Sequence, residues 1–128
     1  MKQIQTDKAP AAVGPYSQAV VSHGMVYTSG QIAIDPVTNT VKGTTIEEQT
    51  EQIMNNLKAV LEEASSGFDM AVKTTCFLAD MNDFAAFNEI YGRYFTSLPA
   101  RRCVAVKALP KGVLAEVEVI AEVSDYSY

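Results

Sequence analysis

From residue 113 to residue 123 the chain alternates. Val113, Ala115, Val117, Val119, Ala121 and Val123 share one parity, and Leu114, Glu116, Glu118, Ile120 and Glu122 share the other. Strand side chains point to the two sheet faces in turn, so this pattern predicts a β-strand with one apolar face. The second face mixes carboxylates with two aliphatics, which suits a half-solvated cleft or an oligomer interface. Between residues 46 and 64 the period changes. Ile46, Ile53, Met54, Leu57, Val60, Leu61 and Ala64 recur at helical spacing, with Glu and Gln between them. Thr45 followed by Glu48 fits a capping box, and Gly67 offers a stop. Next, "MAVKTTCFLA" is β-branched and mostly apolar, which predicts a strand with both faces covered. Asn82 can cap a second helix, with Asp83 in its first turn and Phe84, Phe87, Tyr91, Tyr94 and Phe95 on one aromatic face.

The remaining runs are short. "QIQT" near the start can form a strand, and "APAAVGPYS" crowds Pro10, Gly14 and Pro15 into a structured loop. "QAVVS" and "MVYTS" flank His23-Gly24 and read as a hairpin. "IDPVTNTVKG" is loop-like, and "RCVAVKA" is a further strand. The predicted order is βββαβαββ, an α+β sandwich with two helices on one face of a sheet. Such a sheet leaves its opposite face open, a natural oligomerisation surface in a small domain. The tail "SDYSY" is polar and reads as peripheral.

Composition narrows the partners. At 128 residues the chain fits a single domain spanning 1–128, and 48% hydrophobic residues can supply its core. Ten basic residues are thinly spread in a chain of net charge −5, and only Arg101 and Arg102 cluster. Nucleic-acid backbones need clustered cations to displace counterions, so nucleic acid is disfavoured as a partner. A small anion needs one or two cations and remains open. Cys76 and Cys103 stand far apart in sequence and can pair, yet two thiols without a secretory signal point to a reduced compartment. The N-terminus lacks an apolar signal core, and no apolar run nears the roughly 20 residues that span a bilayer. The expectation is a soluble, cytoplasmic protein with no membrane partner.

Several chemistries find no matching motif: no phosphate-binding glycine loop, H-E-x-x-H, C-x-x-C or G-x-S-x-G occurs. One histidine and two distant cysteines argue against a zinc site within one chain, so no metal ligand is assigned. His23 lies in a predicted turn and reads as a loop residue. At "TSGQI" the choice lies between a simple turn and a backbone that approaches a ligand at Ser29-Gly30. The candidates left are Arg101, Arg102, Cys103, Glu116 and Glu118. If a strand starts at Arg101, then Arg101 and Cys103 share a face while Arg102 joins Val104 and Val106. An arginine can bind a carboxylate through two parallel hydrogen bonds, and a nearby glutamate can position or deprotonate water. The competing reading is a solvated charge cluster.

"PARRCVAVKALPKGVLAEVEVIA" resembles the P-A-R-x-C-V…L-P-K…E-x-E-x-I-A signature of the RidA (YjgF) family of reactive-intermediate imine/enamine deaminases. "APAAVGPYSQAV", "YTSGQIAIDP", "NLKAVLEEA" and "VKTTCFLADMNDFAAFNEIYGRYF" match the same family in order, from about Ala9 to Ala121. The resemblance implies a chorismate-mutase-like, ferredoxin-like-related mixed sheet, assembled as a homotrimer with clefts between subunits. It also places the strand matching 70–79 between the last two, which periodicity would have joined as a hairpin. The implied reaction is hydrolytic deamination of 2-aminoacrylate- or 2-aminocrotonate-type intermediates, carboxylate-bearing enamines and imines, to 2-oxo acids and ammonia. These are released by pyridoxal-phosphate-dependent dehydratases.

By match to the motif, Arg101 would clamp the substrate carboxylate and Glu116 would position the attacking water or relay its proton. The backbone at Gly30 and Cys103 would contact the ligand, and Tyr16, Ser29 and Asn88 match pocket-lining positions. No cofactor is implied, because a positioned water and a polarised C=N suffice. Without a ligand role, Tyr16 packs the Gly-Pro loop, Asn88 is a surface amide, and Cys103 is a small buried hydrophobe. Arg102 departs from the small polar residue common in the family, and the short segment before Pro99 reshapes one rim of the pocket. Two other functions compete: an endoribonuclease or translation inhibitor, and a non-catalytic 2-oxo-acid-binding regulatory protein.

Overall fold

The computed structural model describes residues 1–124; the peripheral tail expected at the end of the chain lies, from residue 125 on, outside the described residues. The expected order holds: β1 (Lys2–Ile4), β2 (Ala19–Ser22), β3 (Met25–Thr28), α1 (Ile46–Glu63), β4 (Ala71–Leu78), α2 (Phe84–Tyr94), β5 (Ala100–Ala105) and β6 (Ala115–Glu122). The six strands form one mixed sheet in the order β1-β2-β3-β6-β4-β5. β4 separates β5 from β6, pairing parallel with the first and antiparallel with the second. The fold is the α+β, chorismate-mutase-like architecture, with both helices on one face.

The alternation in β6 explains this layering. Val113, Val117, Val119, Ala121 and Val123 are all but fully buried beneath the helices. All of these but Val113 join Ile53, Met54, Leu57, Val60 and Leu61 of α1 and Phe87 and Tyr91 of α2 in one core. Burying each large aliphatic or aromatic side chain contributes roughly 1.5–3 kcal/mol. Glu116, Glu118 and Ile120 stay half-exposed on the other face, where no helix packs. The β2–β3 hairpin closes through His23 and Gly24, at φ 53° and 77°, the left-handed pair that a tight two-residue turn requires.

Three local expectations are corrected. β4 is covered on one face only: Thr74, Cys76 and Leu78 are buried, whereas Val72 and Lys73 are exposed and Thr75 and Phe77 half-buried. The capping box of α1 is present, with Thr45 and Glu48 exchanging side-chain and backbone hydrogen bonds. The helix does not run on to Gly67, however. Ser65 takes the left-handed conformation at φ 60°, and the Ser65 and Ser66 amides donate to the carbonyls of Glu62 and Leu61, a Schellman closure. At the second helix Asp80, not Asn82, caps: its carboxylate accepts the Asn82 amide at 2.9 Å and starts a short 3-10 turn that feeds α2.

A non-glycine residue in the left-handed region is strained by about 1–2 kcal/mol. Ser65→Gly should therefore raise stability by about 0.5–1 kcal/mol after the entropy that glycine gives the unfolded chain is subtracted. Ser65→Val should lower stability. Urea melts of the two variants check the opposite signs, and destabilisation by the glycine would refute the account.

Candidate functional site

The residues expected to form one site fall into two groups, and the sheet separates them. The first group lies on the helix side. Arg101 pairs in register with Thr74 on β5 and β4, and its guanidinium carbon sits 4.8 Å from the Tyr91 ring centroid and 5.5 Å from that of Phe84. Its Nη1 donates to the Asn88 side-chain oxygen at 2.5 Å. The shelf beneath is rigid. Tyr91 stacks on Phe95 with centroids 4.5 Å apart, and its hydroxyl and that of Thr74 share a hydrogen bond of 2.7 Å. Arg101, Asn88 and Tyr91 line a shallow hollow with Gly92, Phe95, Leu98 and Pro99. Asn88 thus does more than decorate a helix surface, since it fixes one corner of the guanidinium and leaves the rest of the fork open.

Cys103 is half-buried on the same side, in register with the buried Cys76 of β4. Two cysteines distant in sequence therefore stand side by side, both as free thiols. Burial pushes Cys76 up to about 12, with the neighbouring Cys103 adding to the shift. Burial also raises Cys103, and Arg101 opposes that shift. Both sulfurs are held as thiols, which fits a packing role and not a nucleophile.

The second group lies around the end of the open face. A cleft of about 260 Å³ is lined by Tyr16, Gly30, Ile32, Lys111 and Glu116, among others. Glu116 pairs in register with Phe77, on the face opposite Arg101. Its carboxylate lies directly over Gly30: a Cβ built there would overlap Oε2 and come within 2.8 Å of Cδ. Gly30 thus reads as a site of close approach rather than a simple turn. Desolvation raises the Glu116 pKa first, and the charge of Glu118 two residues along raises it further. Tyr16 is 54% exposed and packs its ring against Gly14, 3.2 Å from a Cβ built there. Ser29 stands behind this wall. Its hydroxyl donates to the Ser17 carbonyl at 2.5 Å, and its amide to the Gln18 carbonyl at 2.9 Å.

Gln18 is the residue the sequence reading missed. Only 2% exposed, its amide group accepts from the Thr6 amide at 2.7 Å and donates to the carbonyls of Thr6, Ala9 and Pro10 at 3.0, 3.3 and 2.8 Å. One side chain folds the N-terminal loop into the cleft wall, while its own carbonyl holds Ser29. On the far side Asn56, buried in α1, donates to the carbonyls of Ile32 and Ile34 at 3.1 and 3.0 Å. A lone polar residue in a β-prone run gives no signal of this role, because its partners are main-chain atoms of an irregular loop.

The chain thus carries an aromatic-backed arginine fork on one sheet face and a desolvated carboxylate over a bare backbone on the other. It belongs to the family described as Endoribonuclease L-PSP, whose model matches residues 6–123 and which also carries the names YjgF, RidA and RutC. Among its relatives, the mouse 2-iminobutanoate/2-iminopropanoate deaminase is 49% identical over 94% of this chain and 90% of that protein. Among solved structures, a Thermotoga maritima protein described as a putative endoribonuclease has a TM-score of 0.94 at 48% identity, covering 98% of this chain and 99% of that one. E. coli TdcF, solved with bound serine, has a TM-score of 0.91 at 40% identity, covering 97% and 100%.

The raised carboxyl pKa has a stability consequence with a definite sign. Folding tightens the hold of Glu116 on its proton. The associated stability is present in full below the ordinary carboxylate range and is lost as pH rises through the raised value. Glu116→Gln should therefore melt above wild type near pH 7, and the gap should close as pH falls to about 4. Melting temperatures of both proteins across that range check this, and a gap independent of pH would refute it. Gln18→Leu should cost about 2–4 kcal/mol in urea, because it strands buried main-chain donors and acceptors.

Proposed function

We propose that the chain acts as a homo-oligomer that hydrolyses small carboxylate-bearing enamines and imines to 2-oxo acids and ammonia. The observation that carries this reading is the division of the site. Arg101 and Glu116 lie on opposite sheet faces and two strands apart, a lateral gap of about 10 Å. One substrate of a few heavy atoms touches both only when the arginine hollow of one copy meets the Glu116 cleft of another. That contact joins unlike surfaces, so it is head-to-tail, an arrangement that forms a ring where the rotation between copies closes. The homotrimer implied by the family resemblance is the ring we adopt.

In this arrangement the Arg101 fork binds the substrate carboxylate, with Asn88 and the Tyr91 and Phe84 rings holding the fork in place. The enamine tautomerises to the imine, gaining a proton at carbon and releasing one from nitrogen. Glu116 positions water at the C=N carbon, takes its proton as the C–O bond forms, and returns it to nitrogen. The carbinolamine then collapses, expelling ammonia and leaving the 2-oxo acid. A carboxyl whose pKa is raised by desolvation holds a proton more readily than an ordinary carboxylate, which suits both transfers. The backbone at Gly30 and Cys103 borders the ligand from the two sides. The site asks for no cofactor in this chemistry.

Two relatives support the reading. One is named for imine deamination at 49% identity, and another holds serine, a small 2-amino carboxylate. The physiological source would be a pyridoxal-phosphate-dependent dehydratase acting on serine or threonine, in the same cytoplasmic compartment. The endoribonuclease description attached to the family is less well matched. RNA needs a track of cations, whereas this chain carries ten spread over its length and three glutamates on its open face.

The test couples the protein to a serine or threonine dehydratase and follows 2-oxo acid and ammonia release. Wild type should accelerate release. Arg101→Ala should lose about 100-fold or more in kcat/KM, and Arg101→Lys should recover only part, since lysine cannot form the two-point contact. Undiminished activity in Arg101→Ala would sink the assigned site. Tight 2-oxo-acid binding without turnover would favour a regulatory role.

A further inference from the structure

Arg102 is the residue this function does not use, and its surroundings are specific. On the open face, β4 and β5 carry the cations Lys73 and Arg102, while β6 carries the anions Glu116, Glu118 and Glu122. The face is therefore split into a basic half and an acidic half. Arg102 sits in register with Thr75, and Thr75 with Glu118, so one chain keeps the two charges apart by the width of two strands. Arg102 is exposed and enters no ion pair among the described residues. β5 is also an edge strand, bonded to β4 alone, with Val104 38% exposed beside Arg102. A bare strand edge with an apolar residue and an unpaired cation invites a partner.

We propose that the partner is a second copy of this chain, and that Arg102 of one copy forms an interface ion pair with Glu118 of the next. This rests on the reading in which the Arg101 hollow of one copy closes over the Glu116 cleft of another, and it adds the contact that sets the register. Arg101 and Arg102 are consecutive and point to opposite sides of β5. Glu116 and Glu118 are two apart on one face of β6, about 7 Å from each other along the strand. When the β5 edge approaches that face with Arg101 over the Glu116 cleft, Arg102 falls on the side of Glu118. Sliding by one residue would carry Arg101 off the cleft and Arg102 away from Glu118. The neighbouring pair therefore discriminates one register from the next, a task at which complementary interface charges are effective.

The experiment is a charge-swap cycle read by mass. Sedimentation velocity across a concentration series compares wild type, Arg102→Glu, Glu118→Arg and the double exchange, with circular dichroism to confirm folding. Arg102→Thr serves as a neutral variant if the reversals fold poorly. Each single reversal should weaken assembly at least about tenfold, and the double exchange should regain most of that loss. Single reversals that assemble like wild type would overturn the proposal. So would a double exchange no better than the singles, or a wild type monomeric at every concentration. A coupling seen in melting temperature but independent of protein concentration would place the pair within one chain and overturn it as well. The readout needs no substrate, so a protein that assembles as described but does not deaminate refutes the function and leaves the interface standing.

Discussion

The two-residue repeat of β6, held between β3 and β4, is the constraint from which the rest of the molecule follows. Its valines and alanines must be covered, and both helices pack on that face to cover them. Its glutamates are thereby committed to the opposite face, with no helix above them. Because β4 carries the same alternation to β5, the register also decides that Arg101 faces α2 and Arg102 does not. Core, cleft and open face are thus one arrangement seen from different sides, and moving any strand by one residue would exchange all of them.

The cleft is held against opposing forces. Glu116 is partly desolvated and faces the like charge of Glu118, both of which disfavour its ionised form. Gly30 admits the carboxylate by having no side chain, and Gln18 and Asn56 fix the main chain on either side of it. Lys111, at φ 58° in the turn leading to β6, adds strain of about 1–3 kcal/mol on the cleft's rim. Such terms are affordable only because the buried face of the sheet is packed without polar loose ends; no buried side-chain nitrogen or oxygen among the described residues lacks a partner.

What could be seen in the sequence was whatever repeats or acts locally. The β6 alternation, the helical stripe from Ile46 to Ala64 and the Thr45–Glu48 box are short-range patterns, and the structure shows each of them. Short-range ambiguity explains the errors at helix ends. Asp80 and Asn82 are both good caps, and the intervening 3-10 turn decides between them; Ser65 turns the chain although Gly67 looks better suited. The apolar run of β4 suits a strand covered on both faces, yet within one chain the helices cover only one of them. Parity told which face of its own strand each residue occupies. It could not relate the face of Arg101 to that of Glu116, since that depends on β4 lying between β5 and β6. The meeting of Cys76 with Cys103, and the four hydrogen bonds of Gln18, were hidden for the same reason: their partners are distant in sequence and follow no period.

Two adjacent arginines on an edge strand make sense once that strand is regarded as having two working sides. One side turns Arg101 onto Tyr91 and Phe84, where the guanidinium is held without being consumed by a carboxylate of its own chain. The other turns Arg102 toward a face that carries its own anions two strands away. A lysine at the first position would lose the planar stack and the fork, whereas the second needs only a charge of the right sign at the right height. The two residues therefore differ in what they demand of a substitution, although they differ in position by one. Because they share a strand, under the proposed function and interface the step that would bring substrate carboxylate and Glu116 together would also bring the interface charges together, coupling catalysis to assembly. Under that proposal a site divided by its own sheet would be complete only in an oligomer, while within one chain Arg101 and Glu116 stay on opposite faces and cannot pair in place of a substrate.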